Sequence, residues 1–231
     1  MGSILASQEA ERRGRDLHWV RPPRQARSQD TLDRILDAAE ALVAEKGFDD
    51  ATVAEVVRRA GSSVGSFYNR FRDKDGLLYA LYERYHEQAT ATADAALDPA
   101  RWEGATIPEL LGAVTRFLVS VYREREGLIR AFVLRNHSDA EFRARQERLS
   151  HYVNEKLSRL LLARAGEIGH PNPTRAASFG LAMIAGAIES IVLFGELRSS
   201  GLVLSDDQLG DELTRAFLTY LGVAEPRGAS H

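Results

Sequence analysis

Between Thr52 and Lys74 the chain sets out residue types that suit the groove of a nucleic acid. The densest run is Ser63-Val64-Gly65-Ser66-Phe67-Tyr68-Asn69-Arg70-Phe71. Phe67 and Phe71 stand four residues apart, on one face of a short helix, and read as its core. Val64, Ser66, Tyr68, Asn69 and Arg70 are left for the other faces. Asn69 can pair bidentately with adenine, and Val64 can meet a thymine methyl. Thr52, Tyr68 and Arg70 can bond phosphate oxygens. Lys74 adds a charge where the next helix points its N-terminus, itself a site for anions. Gly65 lets the backbone come close to whatever lies in front of it.

Helices must position these groups. Leu32, Ile35, Leu36, Ala39, Leu42 and Val43 keep the spacing of one helix face. Ser28 is the expected cap of that helix, and Gly47 its left-handed end. Thr52 with Glu55 makes a capping box for a short second helix, with Val53, Val56, Val57 and Ala60 inward. Gly61 stops it, and Ser62 or Ser63 caps the third. Two short helices joined at a glycine, after a longer one, form a helix-turn-helix. Asp73 caps a fourth helix through Leu77, Leu78, Leu81, Tyr82 and Tyr85. The spacing then predicts a connection over 95–106, helices over 108–125 and 127–137, and a helix opened by Ser138 and Glu141 that runs to about 166. Asn172-Pro173 starts a helix to about 198, and Ser205 with Gln208 caps the last. No segment keeps a period of two, so the expected fold class is all-α.

The chain has 231 residues and a formal charge of −3, ordinary values for a globular protein of one or two domains. Cysteine is absent, which excludes disulfide scaffolds, thiol catalysis and cysteine-ligated metals. The histidines lack zinc spacing, and there is no phosphate-binding glycine loop. Gly61-Ser62-Ser63-Val64-Gly65 fits the nucleophile elbow of hydrolases, but that elbow needs a strand where 53–60 has a helical period. No catalytic set, metal or cofactor is therefore expected. Residues 1–27 carry six arginines against three acids and read as a mobile basic arm. No secretory signal is visible, so the expected compartment is the cytoplasm. Residues 176–195 hold one charge, Glu189. They read as a buried helix and not as a membrane span, because a carboxylate at mid-bilayer costs ~2.5–3.5 kcal/mol.

The run Ala51-Thr52-Val53, followed by Arg59-Ala60-Gly61-Ser62-Ser63-Val64-Gly65-Ser66-Phe67-Tyr68-Asn69-Arg70-Phe71-Arg72-Asp73-Lys74-Asp75-Gly76-Leu77-Leu78, resembles the TetR-type transcriptional regulators. The resemblance implies DNA contacts at Thr52, Ser63, Val64, Ser66, Tyr68, Arg70 and Lys74. Three positions depart from the family pattern. Val64 stands where the family often has Lys, Arg70 where it has His, and Arg72 where it has Pro. Val64 changes the kind of base contact, and the two arginines strengthen the hold on phosphate.

The resemblance further implies a helix-turn-helix DNA-binding domain over 28–73 and a larger ligand-binding and dimerisation domain over 74–225, with a tail at 226–231. A homodimer on a palindromic double-stranded operator places its recognition helices ~34–36 Å apart or somewhat more. A small-molecule effector would lie between the helices of 108–195. The candidate contacts are Phe117, Val121, Tyr122, Phe132, Arg135, Asn136, His137, Tyr152, Phe179, Met183 and Glu189. Small residues at Ala176, Ala177, Gly180, Ala185 and Gly186 allow close approach of helices across a dimer. Glu189 either bonds across that dimer or selects a polar or cationic ligand. The expected function is thus a ligand-responsive repressor, with activation open beside it. The rivals are an all-α binding protein or enzyme with a vestigial helix-turn-helix, and a membrane-associated protein using 176–195. The basic arm and Arg70 favour the regulator.

Overall fold

A computed structural model describes residues 26–194 and 203–223. Residues 1–25 of the basic arm, the end of the 173–198 helix and the tail lie outside the described residues, while the last two residues of the arm belong to the first helix. Those described form helices and connections, with no strand among them. The helices are α1 (Ala26–Lys46), α2 (Val53–Arg59), α3 (Val64–Tyr68), α4 (Lys74–Ala96), α5 (Ile107–Glu124), α6 (Glu126–Ser138), α7 (Ala140–Leu162), α8 (Pro173–Phe194) and α9 (Asp206–Leu221). The chain divides into two compact units between His86 and Glu87, inside α4. The division expected at 73/74 falls at the start of that helix instead.

Unit one is built on the apolar stripe of α1. Ile35, Ala39 and Val43 are buried with Val56 and Val57 of α2, Phe67 of α3, Phe71, and Leu77, Leu78, Leu81 and Tyr82 of α4. Burying a side chain of Val, Leu or Phe size is worth roughly 1.5–3 kcal/mol, so this cluster supplies most of the unit's cohesion. Val53, expected in the core, is only half-buried. It opens α2 directly after the cap, where the first turn still faces outward. Arg84 reaches from α4 to Asp37 at 2.6 Å and to Glu40 at 2.8 Å, which fixes α4 against α1. Gly47 and Gly61 hold φ of +84° and +58°, the left-handed conformation that a turn after a helix needs.

Unit two packs α5 against α9, with α8 against α6, α7 and α9. Its core includes Ile107, Leu110, Leu111, Leu157, Leu161, Ala176, Ala177, Ile184, Ile188, Phe217 and Leu221. Asn172 accepts the Arg175 amide at 2.9 Å and Pro173 opens α8, as expected. Ser205 and Gln208 close their capping box. The start of α7 differs. Asp139, not Ser138, is the cap and accepts the amides of Glu141 and Phe142. Ser138 Oγ instead donates to the Arg135 carbonyl at 3.3 Å, at the end of α6. The helix also stops at Leu162, before Gly166, with a short 3-10 turn over Ala165–Glu167. α1 begins at Ala26, before Ser28. Among the described residues no helix is long and apolar enough to cross a membrane.

Candidate nucleic-acid interface

The third helix has only five residues, so its position depends on its ends and its buried side. Ser63 caps it, accepting the Ser66 amide at 3.1 Å. The Ser63 hydroxyl donates to Ser66 Oγ at 3.0 Å, which leaves the Ser66 proton for an acceptor outside. Below, Phe67 and Phe71 are fully buried with their rings 4.9 Å apart. Val64 is 48% exposed and Tyr68 51%, large apolar surfaces to leave in water. The Tyr68 ring stands edge-on to Phe67 at 5.3 Å, which holds it in place. Asn69 is exposed and Arg70 half-buried. Val64, Tyr68 and Asn69 thus emerge together from a short helix with a rigid base.

Gly65 is exposed on this helix, and a Cβ there would meet only Ser63 Oγ, at 3.8 Å. Its φ is not positive, so neither turn geometry nor internal packing requires glycine. A glycine inside a helix costs about 0.5–1 kcal/mol against alanine. Space reserved at such a cost points to an approach from outside. Gly65→Ala is expected to raise stability by up to about 1 kcal/mol and to weaken specific DNA binding about tenfold or more. Thermal unfolding and a binding titration on the same protein check the opposite signs. A variant as tight on DNA as the wild type would refute the close approach.

The groups flanking the helix are less free. Thr52 gives both its amide and its hydroxyl to Glu55 Oε2, at 3.0 and 2.7 Å. Lys46 donates to Glu55 Oε1 at 2.6 Å. That ion pair, with the two bonds from Thr52, holds the Glu55 carboxyl down at about 2. Asp73 caps α4 by accepting the Gly76 amide at 2.8 Å, and this bond and the Arg72 guanidinium at 3.1 Å keep its pKa low. Lys74, the first residue of α4, is half-buried. Its ammonium lies 4.6 Å from the centre of the Phe48 ring and donates to the Asp49 carbonyl at 2.8 Å. Phe48 and the Asp49 carbonyl are the parts of this site that spacing did not reveal. The only signal was an aromatic residue directly after the Gly47 turn.

The effector candidates in unit two lie in different places. Phe132 is buried, while Val121, Tyr122 and Tyr152 are half-buried against the core. Tyr122 lines a narrow apolar crevice with Val119, Ile188, Ile191 and Leu209. Asn136 and His137 line a separate polar groove with Arg143, Gln146 and Ser150. His137 bonds the Val133 carbonyl through Nδ1 at 2.9 Å, which requires a proton on that nitrogen. The Tyr152 hydroxyl bonds Asp94, and Lys156 pairs with the same carboxylate at 2.7 Å. Arg135 and Glu189 are half-buried, whereas Phe117, Phe179 and Met183 stand on the surface of the unit. The candidates do not surround one chamber.

Comparison with known proteins gives this geometry a family. The sequence model of bacterial regulatory proteins of the tetR family matches residues 35–81. The HTH-type transcriptional repressor Rv1474c of Mycobacterium tuberculosis is 42% identical over 60 residues, 26% of this chain and 32% of that protein. The HTH-type transcriptional regulator BetI of Escherichia coli is 47% identical over 47 residues, 20% of this chain and 24% of that one. The chain thus spans a third or less of the length of these relatives. Solved structures extend the likeness of fold. A TetR-family regulator from Mesorhizobium loti superposes with a TM-score of 0.66 at 22% identity, over 84% of this chain and 98% of that one. FadR of Bacillus subtilis, in complex with stearoyl-CoA, gives 0.62 at 21% identity, over 81% and 98%. Residues 35–81, from within α1 into α4, thus match the tetR-family model by sequence, and the described residues share the fold of solved TetR-family regulators.

Proposed function

We propose that the protein is a sequence-specific DNA-binding transcriptional regulator. It acts as a homodimeric repressor, released from a palindromic operator by a small-molecule effector, in the cytoplasm and without catalytic activity of its own. The observation that carries this reading is the row of Val64, Tyr68 and Asn69 exposed on α3 beside an unobstructed Gly65, over a fully buried Phe67 and Phe71. Val64 and Asn69 read bases. Ser63, Ser66, Tyr68, Arg70 and Lys74 hold phosphates. Thr52 joins them once it releases Glu55.

The outward side of α8 supports dimerisation. Phe179, Ala182, Met183 and Gly186 are exposed at spacings of three, one and three, one continuous face, with Glu189 half-buried at its edge. An apolar stripe with small residues is the surface that a self-complementary partner covers. The effector is assigned to the helices of unit two. Its differential affinity for two states needs to supply only ~1–3 kcal/mol to release the operator.

Selection of bound duplexes from a random pool by the purified, ligand-free protein tests the reading. Enrichment of a palindrome is expected. Salt-sensitive binding without sequence preference would overturn it in favour of a vestigial helix-turn-helix. On the selected operator, Lys74→Ala and Tyr68→Phe should weaken all sequences alike, with the salt slope of the lysine variant reduced by ~1. Asn69→Ala should instead relax preference at one base pair, by ~1–3 kcal/mol. Competition titrations with single-base operator variants separate the two behaviours. A loss at Lys74→Ala confined to one base would contradict its assignment to phosphate.

A further inference from the structure

The chain has only three lysines, Lys46, Lys74 and Lys156, among thirty basic residues. Two are held in short ion pairs: Lys46 with Glu55 at 2.6 Å and Lys156 with Asp94 at 2.7 Å. A lysine so held has its nitrogen engaged by a carboxylate. Lys74 is different. Its bond is to a neutral acceptor, the Asp49 carbonyl, at 2.8 Å, and its Nζ lies 4.6 Å from the centre of the Phe48 ring, with no carboxylate paired to it among the described residues. It opens α4, where the positive end of the helix disfavours a cation. A neutral amine needs one N–H for the Asp49 carbonyl and keeps its lone pair for an electrophile.

We propose that Lys74 is an acylation site, taking an acyl group from an acyl phosphate and so losing the charge that faces a DNA phosphate. The regulatory consequence rests on the reading of Lys74 given under Proposed function; the reactivity does not. In the step, the Nζ lone pair attacks the acyl carbonyl carbon, the bond from that carbon to the phosphate oxygen breaks, inorganic phosphate leaves, and the amine proton passes to solvent. Nothing is oxidised or reduced. The product is a neutral amide, which has no counterion to release from DNA. The electrostatics agree with the geometry. Desolvation lowers the Lys74 pKa despite the carboxylates of Asp49, Asp50 and Asp75, with Lys46 adding to the lowering. The pairing with Asp94 raises that of Lys156.

The test treats the full-length protein with acetyl phosphate at mildly alkaline pH and follows each lysine by quantitative peptide mass spectrometry. Lys74 is expected to acetylate about threefold or more faster than Lys46 and Lys156, since the reactive species is the free amine. Operator affinity of the treated protein should fall in step with modification at Lys74. K74R, which has no acylatable amine at that position, should keep its own untreated affinity after the same exposure. Equal or slower modification of Lys74 than of the other two lysines would overturn the inference. Preferential modification with unchanged operator affinity would overturn its regulatory half, together with the phosphate role of Lys74. A wild type with no sequence-specific DNA binding would sink the functional reading alone, leaving the ranking of the lysines to stand or fall on the spectra.

Discussion

Phe67→Ala is expected to unfold unit one. The side chain is fully buried, its ring 4.9 Å from that of Phe71 and 5.3 Å from that of Tyr68. It ties α3, the shortest α-helix among the described residues, to the rest of unit one. Truncating a buried phenylalanine costs ~3–5 kcal/mol, as lost transfer energy plus the cavity left behind. Whole domains are stable by only about 5–15 kcal/mol, so the loss takes most of what a unit of this size has. Because α3 has five residues and no helical stability of its own, it cannot persist without the ring. Urea unfolding followed by circular dichroism should show an early transition absent from the wild type, and specific DNA binding should vanish. Tyr68→Phe separates the two causes. It removes a hydroxyl from an exposed ring, so it should leave the unfolding curve in place while weakening DNA. An unaltered urea midpoint for Phe67→Ala would mean that the ring does not anchor α3.

Gly180→Ala should be nearly as damaging, by the opposite mechanism. A methyl group there would lie 1.8 Å from Phe217 Cε2, 2.2 Å from Cδ2 and 2.6 Å from Cζ. Phe217 is fully buried, so its ring has nowhere to swing. Overpacking of this kind typically costs 1–3 kcal/mol, and three sub-van-der-Waals contacts to one ring place this site at about 3 kcal/mol. The α8–α9 contact should loosen, lowering the melting temperature. Phe217→Leu removes the ring atoms that clash. The double variant should therefore be more stable than the sum of the two single losses predicts, a coupling readable in a mutant cycle. Additive losses would show that the two residues are not in contact in solution.

Glycine at 180 and glycine at 65 look alike in the sequence, yet the structure separates them. At Gly180 the space is already occupied by the protein's own ring. At Gly65 it is open, and the occupant has to come from outside. The sequence reading assigned both to close approach. It could not say approach of what, because the answer depends on which helix lies opposite.

Most of what the sequence determined concerns local structure. The capping boxes at Thr52–Glu55 and Ser205–Gln208, the Asn172-Pro173 start, the Gly61 turn and the inward pair Phe67 and Phe71 all join groups within four residues of one another. Their geometry follows from helix period and backbone chemistry, and with the motif around them they carry the same likeness that the family model finds over residues 35–81. Where two local solutions competed, spacing was not enough. Asp139 displaced Ser138 as a cap because its carboxylate accepts two amides at once. The Thr106–Glu109 box straddles the end of the connection expected over 95–106 and starts α5 at Ile107.

Only the tertiary structure decided which helical faces turn inward. Phe132 is buried and Phe117 and Phe179 are exposed, although all three sit in helices with apolar neighbours. Helical period gives the width of an apolar face, not the rotation of the helix against others. The seat of Lys74 on the Asp49 carbonyl, the grip of Arg84 on Asp37 and Glu40, and the meeting of Asp94 with Tyr152 and Lys156 span 25 to 62 residues. Such contacts carry no signature in spacing, because chain folding, not backbone geometry, brings their partners together. They nonetheless decide that Lys156 pairs with a carboxylate while Lys74 bonds a backbone carbonyl.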